Sequence, residues 1–345
     1  MRSPVTLVTG AGGEIGHGLI ARLTAAGRQV VTIDVAPLRS DQAPLVHYEL
    51  TGSITDAGLL ERVLSQFEVE LVFHLAALLS TRSEFTPGSA HQVNVDGTLN
   101  LLEFAQHEGE SHGRPVVFVY PSSIAAYGLP DLDTKMRALP VCEDQWNEPQ
   151  TMYGCNKLYC EHLGRYYSRH YKQLAVDVAP RVDFRCVRFP GLMSAETVPS
   201  GGTSDYASEM LHAAARGEPY ACFVRPDTRI PLMAMPDAVD ALLRLAAARR
   251  DALTRTAYNT MAFNPTALEI RDAVARAFPD ARLTWALDAK RQRILDSWPA
   301  SVDDSPARRD WGFEAAFDFD GAFERYLIPR IRNRYRVGSE APPRD

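Results

Sequence analysis

The chain has 345 residues, 46% hydrophobic and 23% charged, with 43 acidic against 37 basic side chains and a formal net charge of -6. That length supports a large core, and the slightly acidic balance excludes the basic footprint of a nucleic-acid binder or of a protein held on an anionic membrane. No apolar run reaches the roughly 18 residues needed to span a bilayer, and "MRSPVTLVTG" passes straight into a strand-like run, so no signal peptide is expected.

"VTLVTG" (5–10) reads as the first strand, and "GAGGEIGHGLIARLTAAG" follows at once, with Ile15, Leu19, Ile20 and Leu23 as the apolar stripe of a helix. Gly10, Gly13 and Gly16 form GxxGxxG at a strand–turn–helix junction. Glycines there permit a tight turn and let backbone N–H groups approach a pyrophosphate at a helix N-terminus. "QVVTID" (29–34) is the second strand. Asp34 at its end, eighteen residues past Gly16, suits the ribose hydroxyls of a dinucleotide.

The alternation continues with a strand at 46–50, a helix at 56–67 and a continuous apolar strand at 70–77, of the kind buried on both faces of a parallel sheet. A helix over 90–107 precedes the fifth strand, "PVVFVYPSS" (115–123). The helix carrying "TMYGCNKLYCEH" (151–162) precedes the sixth, "DFRCVRFPG" (183–191). This predicts an α/β fold, a doubly wound parallel sheet with its ligands at the carboxyl ends of the strands.

From about 191 the elements shorten. Residues 191–236 and 263–335 read as a smaller substrate-covering lobe, with 237–262 returning to the 1–190 nucleotide domain. "LDSWPASVDDSPARRDWG" reads as a loop, and 336–345 as a flexible tail. The five cysteines lack metal-ligand spacing and suit a reducing cytoplasm, and His47, His74 and His91 read as structural, so no metal site is expected.

Tyr153 and Lys157 are one helical turn apart and share a face. Taken alone, YxxxK describes a surface helix with a snorkelling lysine. Taken in order, the glycine motif, Asp34, "HLAA" (74–77), "NVDGT" (94–98), "PSSIAAYG" (121–128) and "YGCNK" (153–157) resemble the extended short-chain dehydrogenase/reductase family over nearly the whole chain.

The resemblance implies NAD as cofactor. It implies contacts from Gly10, Gly13, Glu14, Ile15, Gly16, Asp34, Val35, Ser53, Ile54, Leu75, Ala76, Ala77, Asn94, Tyr153, Lys157 and Leu192. Tyr153 would be the base, Lys157 would lower its pKa and hold the nicotinamide ribose, and Ser123 would hydrogen-bond the reacting oxygen. A free phenol titrates near pH 10, too high for a base at neutral pH, so neighbouring positive charge is needed.

Later stretches, "GGTSDYASEMLHAAARG" (201–217), "DTRIPLM" (227–233) and "DSWPASVDDSPARRDWGF" (296–313), are similar to the short-chain-type L-threonine 3-dehydrogenases. That similarity implies a β-hydroxy amino acid substrate met by Ser80, Ser122, Tyr153, Ser204, Asp205 and Trp298. Arg188 either faces the substrate carboxylate or forms a structural ion pair, and Trp298 either closes the site or packs in a core. A homodimer through the 90–107 and 152–170 helices, as a four-helix bundle, is implied by the same family.

Two segments, 129–152 and 169–184, are longer than that pattern. Two other readings stay open: a sugar-nucleotide epimerase or dehydratase, and a non-catalytic nucleotide sensor. Against the first, Pro190 stands where a diphosphate-holding Asn is expected. Against the second, sensing needs no activated phenol.

Overall fold

The computed structural model describes residues 2–339 other than 139 and 200, and for Leu64 and 337–339 it describes the backbone alone. Seven parallel strands form the central sheet: β1 (Ser3–Thr9), β2 (Val30–Asp34), β3 (Tyr48–Thr51), β4 (Phe67–His74), β5 (Val116–Ser123), β6 (Val182–Phe189) and, after three short strands, β10 (Ala257–Asn259). Their order is β10-β6-β5-β4-β1-β2-β3. The direction of the chain reverses beside β1 and β4, which is where a doubly wound sheet opens a crevice at its carboxyl edge.

The short strands between are β7 (Gly191–Met193), β8 (Tyr220–Cys222) and β9 (Leu232–Ala234), and β11 (Leu283–Trp285) follows β10; β7 pairs with β9 and β8 with β11. The helices are α1 (Glu14–Ala25), α2 (Ala57–Gln66), α3 (Ser80–Phe85), α4 (Pro87–His91), α5 (Gly97–His112), α6 (Leu132–Arg137), α7 (Met152–Arg169), α8 (Tyr206–Arg216), α9 (Met235–Ala247), α10 (Ala267–Ala277), α11 (Ala289–Asp296), α12 (Ser305–Trp311), α13 (Phe319–Gly321) and α14 (Ile328–Ser339).

The strands in the middle of the sheet are apolar on both faces because helices cover both. Every residue of β6 is buried, including Asp183 and Arg185, which pair with each other at 2.7 Å. Arg185 also donates to the carbonyls of Leu245, Ala246 and Ala248, closing the C-terminal end of α9. A cation there satisfies orphan carbonyls and complements the helix dipole.

One hydrophobic cluster fills the face under α2, α5 and α7. The other runs from Val8, Leu19 and Val119 on the opposite face into the smaller lobe through Met210, Phe223, Trp298 and Phe323. The lobe therefore shares its core with the sheet.

Several expectations change. The helix expected over 90–107 begins at Pro87, passes through a π-helical turn at Gln92–Asp96 and runs to His112. The supposed loop over 295–312 contains α12, whose Pro306, Ala307 and Trp311 are buried. Residues 336–339 of the expected tail are the end of α14, whose Ile328 and Ile331 are buried; residues 340–345 lie outside the described part. In α12 polar composition concealed the buried side.

Candidate active site

The carboxyl edge of the sheet opens into a cleft of about 610 Å³ between the sheet and the smaller lobe. At one end lies the glycine loop. Gly10 has φ +67°, and a Cβ there would meet the Ala76 amide nitrogen at 2.5 Å. A Cβ on Gly16 would meet the Ala11 carbonyl oxygen at 2.2 Å. Close backbone packing therefore demands both glycines, and the positive φ of the turn demands Gly10 as well.

Gly13 caps α1 without a side-chain hydrogen bond, so the first-turn N–H groups of a twelve-residue helix face the cleft without a built-in acceptor. Asp34 accepts from Gly12 N at 2.9 Å and from Ala36 N at 3.2 Å, which fixes its carboxylate at the rim. Glu14, Ile15, Val35, Ser53, Ile54, Leu75, Ala76, Ala77 and Leu192 complete this wall. An anion-ready helix end, a glycine cradle and a rim carboxylate fit a dinucleotide with unmodified ribose.

At the other end, Ser123, Tyr153 and Lys157 line the cleft together. Ser123 ends β5, and its hydroxyl accepts from Ala125 N at 3.1 Å, leaving its own proton free to donate. Thr151 caps α7 by accepting from Gly154 N, which starts the helix at Met152, one residue before Tyr153. Lys157 is buried and donates to the Pro121 carbonyl at 2.7 Å. Its ammonium lies 4.5 Å from the Tyr120 ring centre and 5.5 Å from that of Tyr153.

Burial drives Lys157 down to about 8, opposed in part by Cys160, Cys186 and Glu161. Desolvation also holds the Tyr153 phenol well above its ordinary value. Burial opposes the phenolate form, so the positive charge expected from Lys157 and from an oxidised nicotinamide would have to outweigh it.

The smaller lobe contributes Gly202, Ser204, Asp205 and Trp298 to the same cleft, facing Ser80 at the start of α3. Trp298 is 4% exposed, so it both packs in the core and lines the site. The 201–205 loop is tied to α3: Thr203 donates to the Ser80 hydroxyl and Thr81 to the Gly201 carbonyl. Asp205 accepts from Gly202 N at 2.7 Å.

Three of the expected contact residues also bond within the protein. Arg188 is 2% exposed and lies beneath the cleft, donating through Nε and Nη2 to Glu161 at 2.9 and 2.7 Å and through Nη1 to the Glu143 carbonyl. It is the structural ion pair and does not face a substrate. Ser122 lines the cleft, but its hydroxyl donates to the same buried Glu161. Asn94 does not line the cleft; its carboxamide accepts from Leu78 N and donates to Leu78 O and to Asn156 Oδ1, setting the loop after β4.

The sequence reading passed over Arg39, which reaches the cleft near Asp34 with its guanidinium on both oxygens of Asp41. Its signal was only its position five residues past Asp34. It also passed over Thr203, whose partner is 123 positions away. His74 is buried between the hydroxyls of Thr9 and Thr98, a structural role as expected. Among the described residues no group of three or more His, Cys, Asp or Glu side chains is arranged to hold a metal, and no helix is long and apolar enough to cross a membrane.

The model of the NAD dependent epimerase/dehydratase family matches residues 6–260. The chain is 34% identical over 317 residues to the mitochondrial L-threonine 3-dehydrogenase of Bos taurus, covering 90% of this chain and 79% of that one. Among solved structures, a holo L-threonine dehydrogenase of Cupriavidus necator superposes with a TM-score of 0.82 at 34% identity, over 96% of this chain and 100% of that one. A monomeric L-threonine 3-dehydrogenase of metagenomic origin gives 0.83 at 32% identity, over 96% and 99%.

Proposed function

The chain belongs to the NAD dependent epimerase/dehydratase family and is an NAD-dependent oxidoreductase, and from that premise we propose that it oxidises the β-hydroxyl of L-threonine, or of a close β-hydroxy amino acid, to the 3-keto product. The observation that carries this reading is a shared cleft. Ser123, Tyr153 and Lys157 line it together with Ser80, Ser204, Asp205 and Trp298.

Bound NAD supplies the two-electron acceptor, and Gly10, Gly13, Gly16 and Asp34 would hold it. Ser123 donates a hydrogen bond to the substrate oxygen and orients it. Tyr153 takes the hydroxyl proton once added positive charge overcomes its desolvation, and Lys157 contributes part of that charge from below. Asp205 brings a negative charge that suits the substrate ammonium. The Ser80 and Ser204 hydroxyls suit its carboxylate, and Trp298 excludes water.

This reading includes NAD in preference to NADP, a cytoplasmic location resting on cysteine usage, and a homodimer through α5 and α7, where Leu99, Tyr159 and Tyr166 are exposed. The metagenomic relative is described as monomeric, so a solution mass measurement tests the pairing. The test of the activity is to follow reduced nicotinamide by absorbance with L-threonine, D-threonine and UDP-sugars. Accumulation with L-threonine alone supports the dehydrogenase. Interconversion of UDP-glucose and UDP-galactose without net reduction replaces it with an epimerase.

A further inference from the structure

Residues 129–150, most of the 129–152 stretch that is longer than the family pattern, lie between β5 and α7 and bond to residues 295–303. This segment contains α6, capped by Asp131 accepting from Thr134 N. Lys135 in that helix is 2% exposed, and its ammonium donates to the Leu295 carbonyl at 2.8 Å, 160 positions along the chain.

Leu295 lies in the last turn of α11, where the dipole favours a cation, and its carbonyl also accepts from Trp298 N at 3.3 Å. Its neighbour Asp296 is held by both terminal nitrogens of Arg225 at 2.8 and 2.9 Å and by Gln292 at 2.8 Å. Leu129 N donates to the Ser297 carbonyl, Val141 N donates to that of Ser301, and Asp303 N returns a bond to the Val141 carbonyl. Trp298 therefore sits between points fixed at 295, 297 and 301, all three by the 129–150 segment.

Burial pushes the Lys135 ammonium down to about 8, with the Asp296 charge opposing. An apolar side chain would fill that volume without this desolvation, so the amine is explained by the bond it makes. We propose that Lys135 is a positioning residue: it holds the end of α11 so that Trp298 closes the substrate end of the cleft, which makes the 129–150 segment set how large a β-hydroxy substrate fits. The size-selection half rests on the dehydrogenase reading above; the bracing half does not.

The test uses the full-length chain, Lys135→Met, and Arg225→Gln as a second variant that loosens the same helix end from a more exposed position. Amide hydrogen exchange across 295–303 is expected to quicken about tenfold or more in both, with α7 and the glycine loop unchanged. NAD affinity should stay at the wild-type value. With L-threonine, KM should rise about 5–50-fold while kcat holds within about twofold, and longer β-hydroxy amino acids should gain relative to threonine.

Wild-type exchange at 295–303 in both variants overturns the brace whatever the substrate is. Faster exchange with unchanged KM and unchanged size preference overturns the selective role. If the wild type oxidises no β-hydroxy amino acid, the functional reading falls and the exchange result decides the brace by itself.

Discussion

Replacing Arg188 by leucine separates the two roles the sequence left open for this residue. Among the described residues its guanidinium is the one cation paired with Glu161, and both side chains are nearly inaccessible, at 3% and 6%. Leucine would leave the carboxylate buried with only the Ser122 hydroxyl donating to it, and would also strip the Glu143 carbonyl of a donor. Breaking such a buried pair from one side costs about 3–5 kcal/mol. For a chain of this length the unfolding entropy is roughly 0.7 kcal/mol per kelvin, so the melting temperature should fall by about 4–7 °C. Calorimetry of Arg188→Leu, Glu161→Leu and the double variant measures it, and the double should lose less than the sum because no unpaired charge remains. Substrate KM should change little in whatever fraction stays folded. A wild-type melting temperature together with a KM raised tenfold would refute the ion-pair account and put the guanidinium back on the substrate.

Asp34 at the rim should give NAD a clear advantage over NADP through repulsion of a 2′-phosphate; equal catalytic efficiency with the two would sink the assignment. Tyr153→Phe should lose about 10²–10⁴-fold in turnover with NAD binding retained in titrations, since the glycine loop is untouched. Ser204→Ala and Trp298→Ala should weaken turnover of L-threonine and spare NAD binding, and equal loss of both would point to misfolding of the lobe. His74, buried between two threonines, is depressed to about 3, chiefly by desolvation with Lys157 adding. The unfolded chain therefore binds the extra proton first, so stability present above about pH 6.5 is lost as pH falls toward 3, with a slope approaching roughly 1.4 kcal/mol per pH unit. Melts of wild type and His74→Gln across that window should converge at low pH, and parallel curves would count against a buried neutral imidazole.

What the sequence made legible lies at strand ends. Gly10, Asp34, Ser123 and Tyr153 stand at junctions where a parallel sheet must deliver them to one edge, so local pattern was enough to bring them together. Arg188 was not legible, because β6 is buried on both faces and period-2 patterning then gives no side an identity. Asn94 matched a motif, yet its neighbours lie in a loop whose path no periodicity reports. The Lys135–Leu295 and Thr203–Ser80 contacts bridge distant segments, and such pairs are fixed by tertiary packing alone. The same holds for α12 and α14, whose few apolar residues gain meaning only against the partners they meet.

The place of β10 bears on how the chain is made. It pairs with β6 through Ala257, Tyr258 and Asn259, so the sheet is finished by a strand that begins 68 residues after β6 ends. During synthesis the ribosome must deliver all of β7, α8, β8, β9 and α9 before that edge is covered. Until then a nascent chain carries β6, a strand wholly buried in the finished sheet, with one row of backbone donors and acceptors bare. Such an edge is a template for association with another nascent copy. Yield in cells should therefore depend on chaperone capacity, and substitutions that delay docking of 257–259 should surface as insoluble protein before they surface as lost activity.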